Sequence, residues 1–274
     1  MFEEPKKRLK ALLGGQYIEF PPADVRRVAA VKAGFPSGEE HNCLIEKISD
    51  PAARYKIEYA GNYYHSYKPG IDDVRFAERY RFRSVVEIGG GPSYIAREAP
   101  KSLRFCVDIV GHPEHAKYGI TLIRGDICES GIVEQIGGVI GPKWKEVQTP
   151  CRAGSLVVLS YCLDRVSDQR KALHNFVQLV NLFEGGRGLV TVCLPAVPMS
   201  PGSPKIHYDQ GTWITTGTDP IEQFQLIREA VECEQVKAPV TFKGGGLTIH
   251  HGVSLVDGYE ELPCYVLWFS SGPK

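Results

Sequence analysis

The chain has no surplus of charge in either direction, since 32 lysines and arginines stand against 32 aspartates and glutamates in 274 residues. A balanced surface casts no long-range field, so nothing global draws it to nucleic acid or to an anionic membrane. Basic residues gather only locally, at Lys6-Lys7-Arg8 with Lys10, at Arg26-Arg27, and at Arg79, Arg81 and Arg83; short runs of this kind are usually solvated faces. No stretch of eighteen apolar residues exists, and the charged opening MFEEPKKRLKALLGG has no sustained apolar segment after it. The expectation is a soluble, unsecreted, cytoplasmic protein with no membrane partner. The eight cysteines show no C-x-x-C and no metal-like spacing, and Cys106, Cys162, Cys193 and Cys264 fall inside apolar runs that read as strands. They are expected as buried thiols in a reducing compartment. His250-His251 has no third ligand at useful spacing, so no metal is expected. Internal repeats and low-complexity tracts are missing as well.

What is present is a globular composition, 43% hydrophobic, and one stretch with unusual local order. In SVVEIGGGPSYIAREAPKSLRFCVD, Ser84 to Asp108, the apolar run Val85, Val86, Ile88 stops at Gly89-Gly90-Gly91. Pro92 then occupies a position suited to a first helical turn. Glycines allow positive φ and close approach to the backbone, and free N–H groups at a helix start favour a ligand's negative or oxygen-rich end. Leu103, Phe105 and Val107 alternate as a second strand, and Asp108 ends it, where a carboxylate can accept both hydroxyls of a ribose. The unit reads as a nucleoside cradle.

From residue 84 onwards strands and helices alternate, the pattern of a doubly wound α/β sheet with helices on both faces. Strands are expected near 84–88, 103–107, 120–124, 155–161 and 187–194. A helix capped by Ser167 carries the stripe Ala172, Leu173, Phe176, Val177, Leu179, Val180 and Phe183, and a second helix spans about 219 to 230. The closing pieces VKAPVTFKG, GG, LTIHHGVSLV and LPCYVLWFS lie too close together for parallel crossovers, so the sheet ends in an antiparallel hairpin.

Residues 1–80 form a mixed N-terminal cap: a short helix at 3 to 13, a Pro21-Pro22 break and helical patterns around 23 to 33 and from Asp72 to Tyr80. Within it, YKIEYAGNYYHSYKPG concentrates five tyrosines, Tyr63, Tyr64 and Tyr67 among them, with His65. Aromatic residues with polar tips line ligand sites, and they equally build an aromatic mini-core; both readings stand. The division expected is a cap and substrate lid over 1–80 and a Rossmann-like domain over 81–274.

Four loops leave the carboxyl ends of the first four strands, where open α/β sheets bind ligands. They carry Glu87-Ile88-Gly89-Gly90-Gly91, then Asp108, then Gly125-Asp126, then Ser160-Tyr161-Cys162-Leu163-Asp164. An E-x-G-x-G after strand one, an acid ending strand two, G-D after strand three and an apolar strand running into SYCLD resemble the class I S-adenosylmethionine-dependent methyltransferases. The likeness covers roughly residues 70 to 270, and the terminal hairpin is similar too. It implies a mainly parallel seven-stranded sheet and S-adenosyl-L-methionine as cofactor. Carried over, Gly89, Gly90 and Gly91 lie against the methionine part and Asp108, with Ile109 beside it, on the ribose. Asp126 and Ile127 lie near the adenine, and Tyr161 with Cys162 beside the cofactor. Glu87 orients the glycine loop or reaches the cofactor amine through water. Simpler readings stand beside these: the glycines only permit a turn, Asp108 is a strand-end acid, and Asp126 to Glu129 is a capping box.

Ser93 stands where the family has its third glycine. Against the dinucleotide fingerprint G-x-G-x-x-G the corresponding residue is Tyr94, which disfavours pyrophosphate binding. Candidate proton acceptors are Asp164, His65 and His207. Asp164 equally fits an ion pair with Arg165 or a helix cap, and the histidines fit surface or packing roles. The acceptor implied is a small polar or aromatic molecule methylated on O, N or C. The fourth loop lacks an N-P-P-Y or D-P-P-Y sequence and the chain lacks a basic surplus, so nucleic acid is less favoured. The alternatives are an NAD(P)-dependent oxidoreductase and a catalytically silent methyltransferase-like partner subunit.

Overall fold

The structure is a computed structural model describing residues 3–19, 82–90, 93–97, 99, 102–109, 111–146, 153–160, 162–163, 166–183, 185–193, 220–233, 240–254 and 258–272. Apolar runs become strands at Phe82–Ile88 (β1), Leu103–Asp108 (β2), Thr121–Arg124 (β3), Ala153–Ser160 (β4) and Arg187–Cys193 (β5). Long strands Val240–Ser254 (β6) and Gly258–Ser271 (β7) follow. They form one seven-stranded sheet in the order β3-β2-β1-β4-β5-β7-β6. β1 to β5 are parallel, and β7 runs antiparallel to both β5 and β6. The sheet is the mainly parallel, Rossmann-like arrangement with a terminal antiparallel hairpin that the sequence predicts.

Strands buried on both faces need cover on both. Helices Glu3–Leu13 (α1), Ile132–Glu146 (α4), Gln169–Leu182 (α5) and Pro220–Cys233 (α6) contribute to one apolar layer. On the other face the short helix Tyr94–Arg97 (α2) joins Phe82, Val85, Cys106, Leu156, Val158 and Leu189. A five-residue helix, Pro113–Lys117 (α3), links β2 to β3. No helix among the described residues is long and apolar enough to cross a membrane.

Two local outcomes differ from the sequence reading. The cap of α5 is Asp168, whose carboxylate accepts from the Lys171 amide at 3.0 Å, and Ser167 is exposed one residue earlier. Aspartate satisfies an orphan amide and also places negative charge at the positive helix end, so it wins over the neighbouring serine. Asp168→Ala is expected to lower stability by about 1 kcal/mol, roughly 3 °C in a thermal melt, whereas Ser167→Ala leaves the midpoint unchanged. The second difference is β6, which runs unbroken through Gly244-Gly245-Gly246 with an irregularity between Phe242 and Gly244. Pairing with β7 supplies the hydrogen bonds that the glycines alone do not favour.

α1 covers the far end of the same layer. Its Leu9 and Leu13, one turn apart, are buried, and Lys6 and Lys10 both pair with Glu19. The chain then adds a short parallel contact to the edge strand, with Tyr17 bridging Gly245 and the Ile18 amide donating to the Gly245 carbonyl at 2.8 Å. The boundary expected near residue 80, the tyrosine segment and the helices at 23 to 33 and 72 to 80 lie outside the described residues.

Candidate functional site

β1 is the strand at which the order reverses, with β2 on one side and β4 on the other. In register, Ile88 lies beside Val107 and Leu159, and Asp108 beside Arg124. The four loops therefore open at one edge of the sheet, at the switch point where ligands of such sheets bind.

Glu87 lies inside this edge, 1% exposed. Its Oε2 accepts from the amides of Ile95 and Ala96 at 3.1 and 3.0 Å, so the carboxylate holds the start of α2 from below. Gly90 lies directly over it: a Cβ there would meet Glu87 Cγ at 2.4 Å. Gly89 has φ +62° and donates its N–H to the Val107 carbonyl at 2.9 Å, and a Cβ on it would fall 2.5 Å from Cys162 Cβ. Both glycines are thus required by close approach, whichever ligand the loop holds.

Asp108 closes β2 with 4% exposure, and Ile109 next to it is one of the exposed large apolar residues among those described. The Asp108 carbonyl accepts from Gly125, which ties the ends of β2 and β3. Asp126 Oδ1 accepts from the Cys128 amide at 2.8 Å and its carbonyl from Glu129, forming a local turn. Helix α4 begins only at Ile132, so this turn precedes the helix and does not cap it. Ile127 is buried in the main core, and its carbonyl accepts from Asn175 of α5 at 2.7 Å. Lys171 Nζ reaches Ser130 Oγ at 2.8 Å, and Cys128 Sγ donates to the Asp168 carbonyl. The loop after β3 is therefore fastened to the helix that follows β4. Cys162, at the end of β4, is buried against Gly89, and its Sγ reaches the Ile88 carbonyl at 3.5 Å.

Three residues that carried no role in the sequence reading join the site from behind. Ser93 is the one described non-glycine residue with positive φ, at 58°; it is fully buried, with its Oγ 3.2 Å from His115 Nε2. Its place in the glycine pattern is the signal that marks it. Close by on β2, the buried Cys106 thiol is pushed well up by burial and then by the Asp108 charge, with Ser93 acting the other way, and so stays protonated. Cys106 is the buried thiol that its apolar run predicts, and nothing in the local sequence marks His115. Gly91, Tyr161, Asp164, His65, His207, Tyr63, Tyr64 and Tyr67 lie outside the described residues. Among the described residues no three His, Cys, Asp or Glu side chains converge as a metal site.

No family model and no curated protein matches this chain. Solved structures do resemble it. A proposed RNA methyltransferase from Pyrococcus horikoshii is 11% identical, with 86% of this chain and 98% of that one covered at a TM-score of 0.46. A TehB-like S-adenosylmethionine-dependent methyltransferase from Corynebacterium glutamicum is 13% identical, over 81% and 98% of the two chains, at 0.41. N,N-8-amino-8-demethyl-D-riboflavin dimethyltransferase from Streptomyces davawensis is 14% identical, over 80% and 58%, at 0.42. These are likenesses of fold; the chemistry is read from this chain's own residues.

Proposed function

We propose that this chain is an S-adenosylmethionine-dependent methyltransferase, and that it passes the methyl group to an O, N or C atom of a small polar or aromatic molecule. The observation that carries the reading is the occupancy of the α2 start. A dinucleotide enzyme needs the first amides of that helix for pyrophosphate. Here Ile95 and Ala96 already donate to the buried Glu87 carboxylate, and α2 is four residues long. An anion in that position repels a pyrophosphate and suits a cofactor bearing ammonium and sulfonium charges. Together with Asp108 at the ribose position and Ile109 exposed beside it, the described edge fits that cofactor.

S-adenosylmethionine supplies an electrophilic methyl when bound. The chain's part is to align it and, where the acceptor requires, to take a proton. Gly89, Gly90 and Gly91 would receive the methionine part, Asp108 the ribose hydroxyls, and Asp126, Ile127, Tyr161 and Cys162 the remaining cofactor surface. Within the region 1–80, Glu3–Leu13 is built into the core against β6, and the part beyond Glu19, with Tyr63, Tyr64 and Tyr67, is the proposed lid; Asp164, His65 and His207 are the proposed proton acceptors.

Calorimetry with S-adenosylmethionine, S-adenosylhomocysteine and NAD tests the cofactor. The first two are expected to bind, and binding of NAD alone refutes the proposal. Asp108→Ala is expected to weaken S-adenosylhomocysteine by roughly 1–3 kcal/mol through loss of a buried hydrogen-bond partner. Incubation of the full chain with methyl-labelled cofactor and a cell extract then identifies the labelled acceptor.

A further inference from the structure

We infer that His115 is a positioning residue for the cofactor pocket, acting through Ser93 to hold the glycine loop in its binding conformation. The inference rests on the methyl-transfer reading and adds to it a residue that no cofactor atom need touch.

Ser93 closes the turn that begins at Gly89, its amide donating to the Gly90 carbonyl at 2.9 Å. It does so at φ +58°, a left-handed conformation that serine adopts only when its surroundings enforce it. The enforcing contact comes from the loop and short helix after β2. His115, 4% exposed, presents Nε2 to Ser93 Oγ at 3.2 Å. The tautomer follows from the opposite nitrogen. The His112 amide can only donate, and it donates to His115 Nδ1 at 3.3 Å, so in the neutral ring the proton resides on Nε2. Nε2–H therefore donates to the Ser93 hydroxyl.

The chain of contacts from the His112 amide through His115 to Ser93 joins the two loops that frame the pocket. On one side is the turn Gly89 to Ser93, and on the other the segment that leaves Asp108. A shift of His115 is passed to Ser93 and moves the Gly90 carbonyl and the amides beside it. Such a residue sets affinity without contact, as supporting hydrogen bonds do for metal and catalytic ligands.

The test is a set of full-length variants titrated with S-adenosylhomocysteine, with circular dichroism confirming that each is folded. His115→Phe keeps the ring's bulk but has no donor, and is expected to weaken binding roughly five- to tenfold. His115→Gln places an amide nitrogen where Nε2 stood and is expected to bind within about twofold of wild type. In a Ser93→Gly background, His115→Phe is expected to add nothing further, since contacts in one chain do not add. Wild-type affinity in folded His115→Phe, or a full effect of that substitution without the Ser93 hydroxyl, overturns the proposal. If His115→Phe does not fold, Ser93→Ala decides from the other side of the bond, and unchanged affinity there overturns it equally. Wild-type protein that binds no S-adenosylhomocysteine refutes the methyl-transfer reading and this inference with it, an outcome distinct from failure of the variants alone.

Discussion

Glu87→Ala is expected to lower the thermal unfolding midpoint by roughly 10 °C, the equivalent of about 3 kcal/mol, and to weaken S-adenosylhomocysteine binding at the same time. The Oε2 atom serves the amides of Ile95 and Ala96, both in a buried setting. Truncation leaves these donors without their acceptor, and each such loss costs about 1–3 kcal/mol. Helix α2 has no reserve with which to absorb it, because four residues form barely one turn and cannot stabilise themselves. The space beneath Gly90 also empties, so the loop loses the surface against which it packs. Glu87→Gln keeps an acceptor oxygen and is expected to lose less than half as much. A differential scan in which Glu87→Ala melts with wild type removes the carboxylate from its supporting role.

Gly89→Ala is expected to lower kcat/KM for the proposed methyl transfer by roughly a hundredfold, since displacement of a positioning element by about 1 Å has effects of that order. Two costs act together. An L-residue at φ +62° carries about 1–2 kcal/mol of backbone strain, and forcing a methyl group into a filled space costs about 1–3 kcal/mol more. The added Cβ lies 2.5 Å from Cys162 Cβ and 2.6 Å from its Sγ, and neither atom can swing aside as a long side-chain tip would. Addition of Cys162→Gly separates the two costs. It removes the overlap and leaves the strain, so the double variant should recover part of the activity and not all of it. Wild-type rates in Gly89→Ala would show that the loop tolerates a side chain where the geometry leaves no space.

Much of this architecture can be read from residue order, because the informative signals are local. The first five strands fall within two residues of their expected limits, set by apolar runs of which the first three end at glycine or a carboxylate. Glu87, Gly89 and Asp108 reach the switch point because each sits a fixed step from a strand end. Helix α4 is not legible in the same way. IVEQIGGVIGPKWKE carries Gly137, Gly138, Gly141 and Pro142, all poor helix residues. It is helical because Ile132, Val133, Ile136 and Ile140 gain burial against the sheet, and that gain exists only once the sheet does. His115 is hidden for a related reason. Its contact with Ser93 spans 22 residues and depends on where α3 settles beside the turn after β1, which no pattern within either segment encodes. The cap of α5 illustrates the finer limit, since Ser167 and Asp168 are both good caps and only geometry chooses between them.

Helix α1 packs on β6, and its Leu9 and Leu13 belong to the same apolar layer as Phe242 and Leu247. In chain order Val240–Ser254 follows Glu3–Leu13 only after the first five strands have been made. Through that interval Leu9 and Leu13 have no β6 to pack on, and β5 has no partner on its outer side until β7 emerges. The nascent chain therefore passes a long interval with an uncovered leucine pair and an open strand edge, both features that chaperones bind and that aggregation exploits.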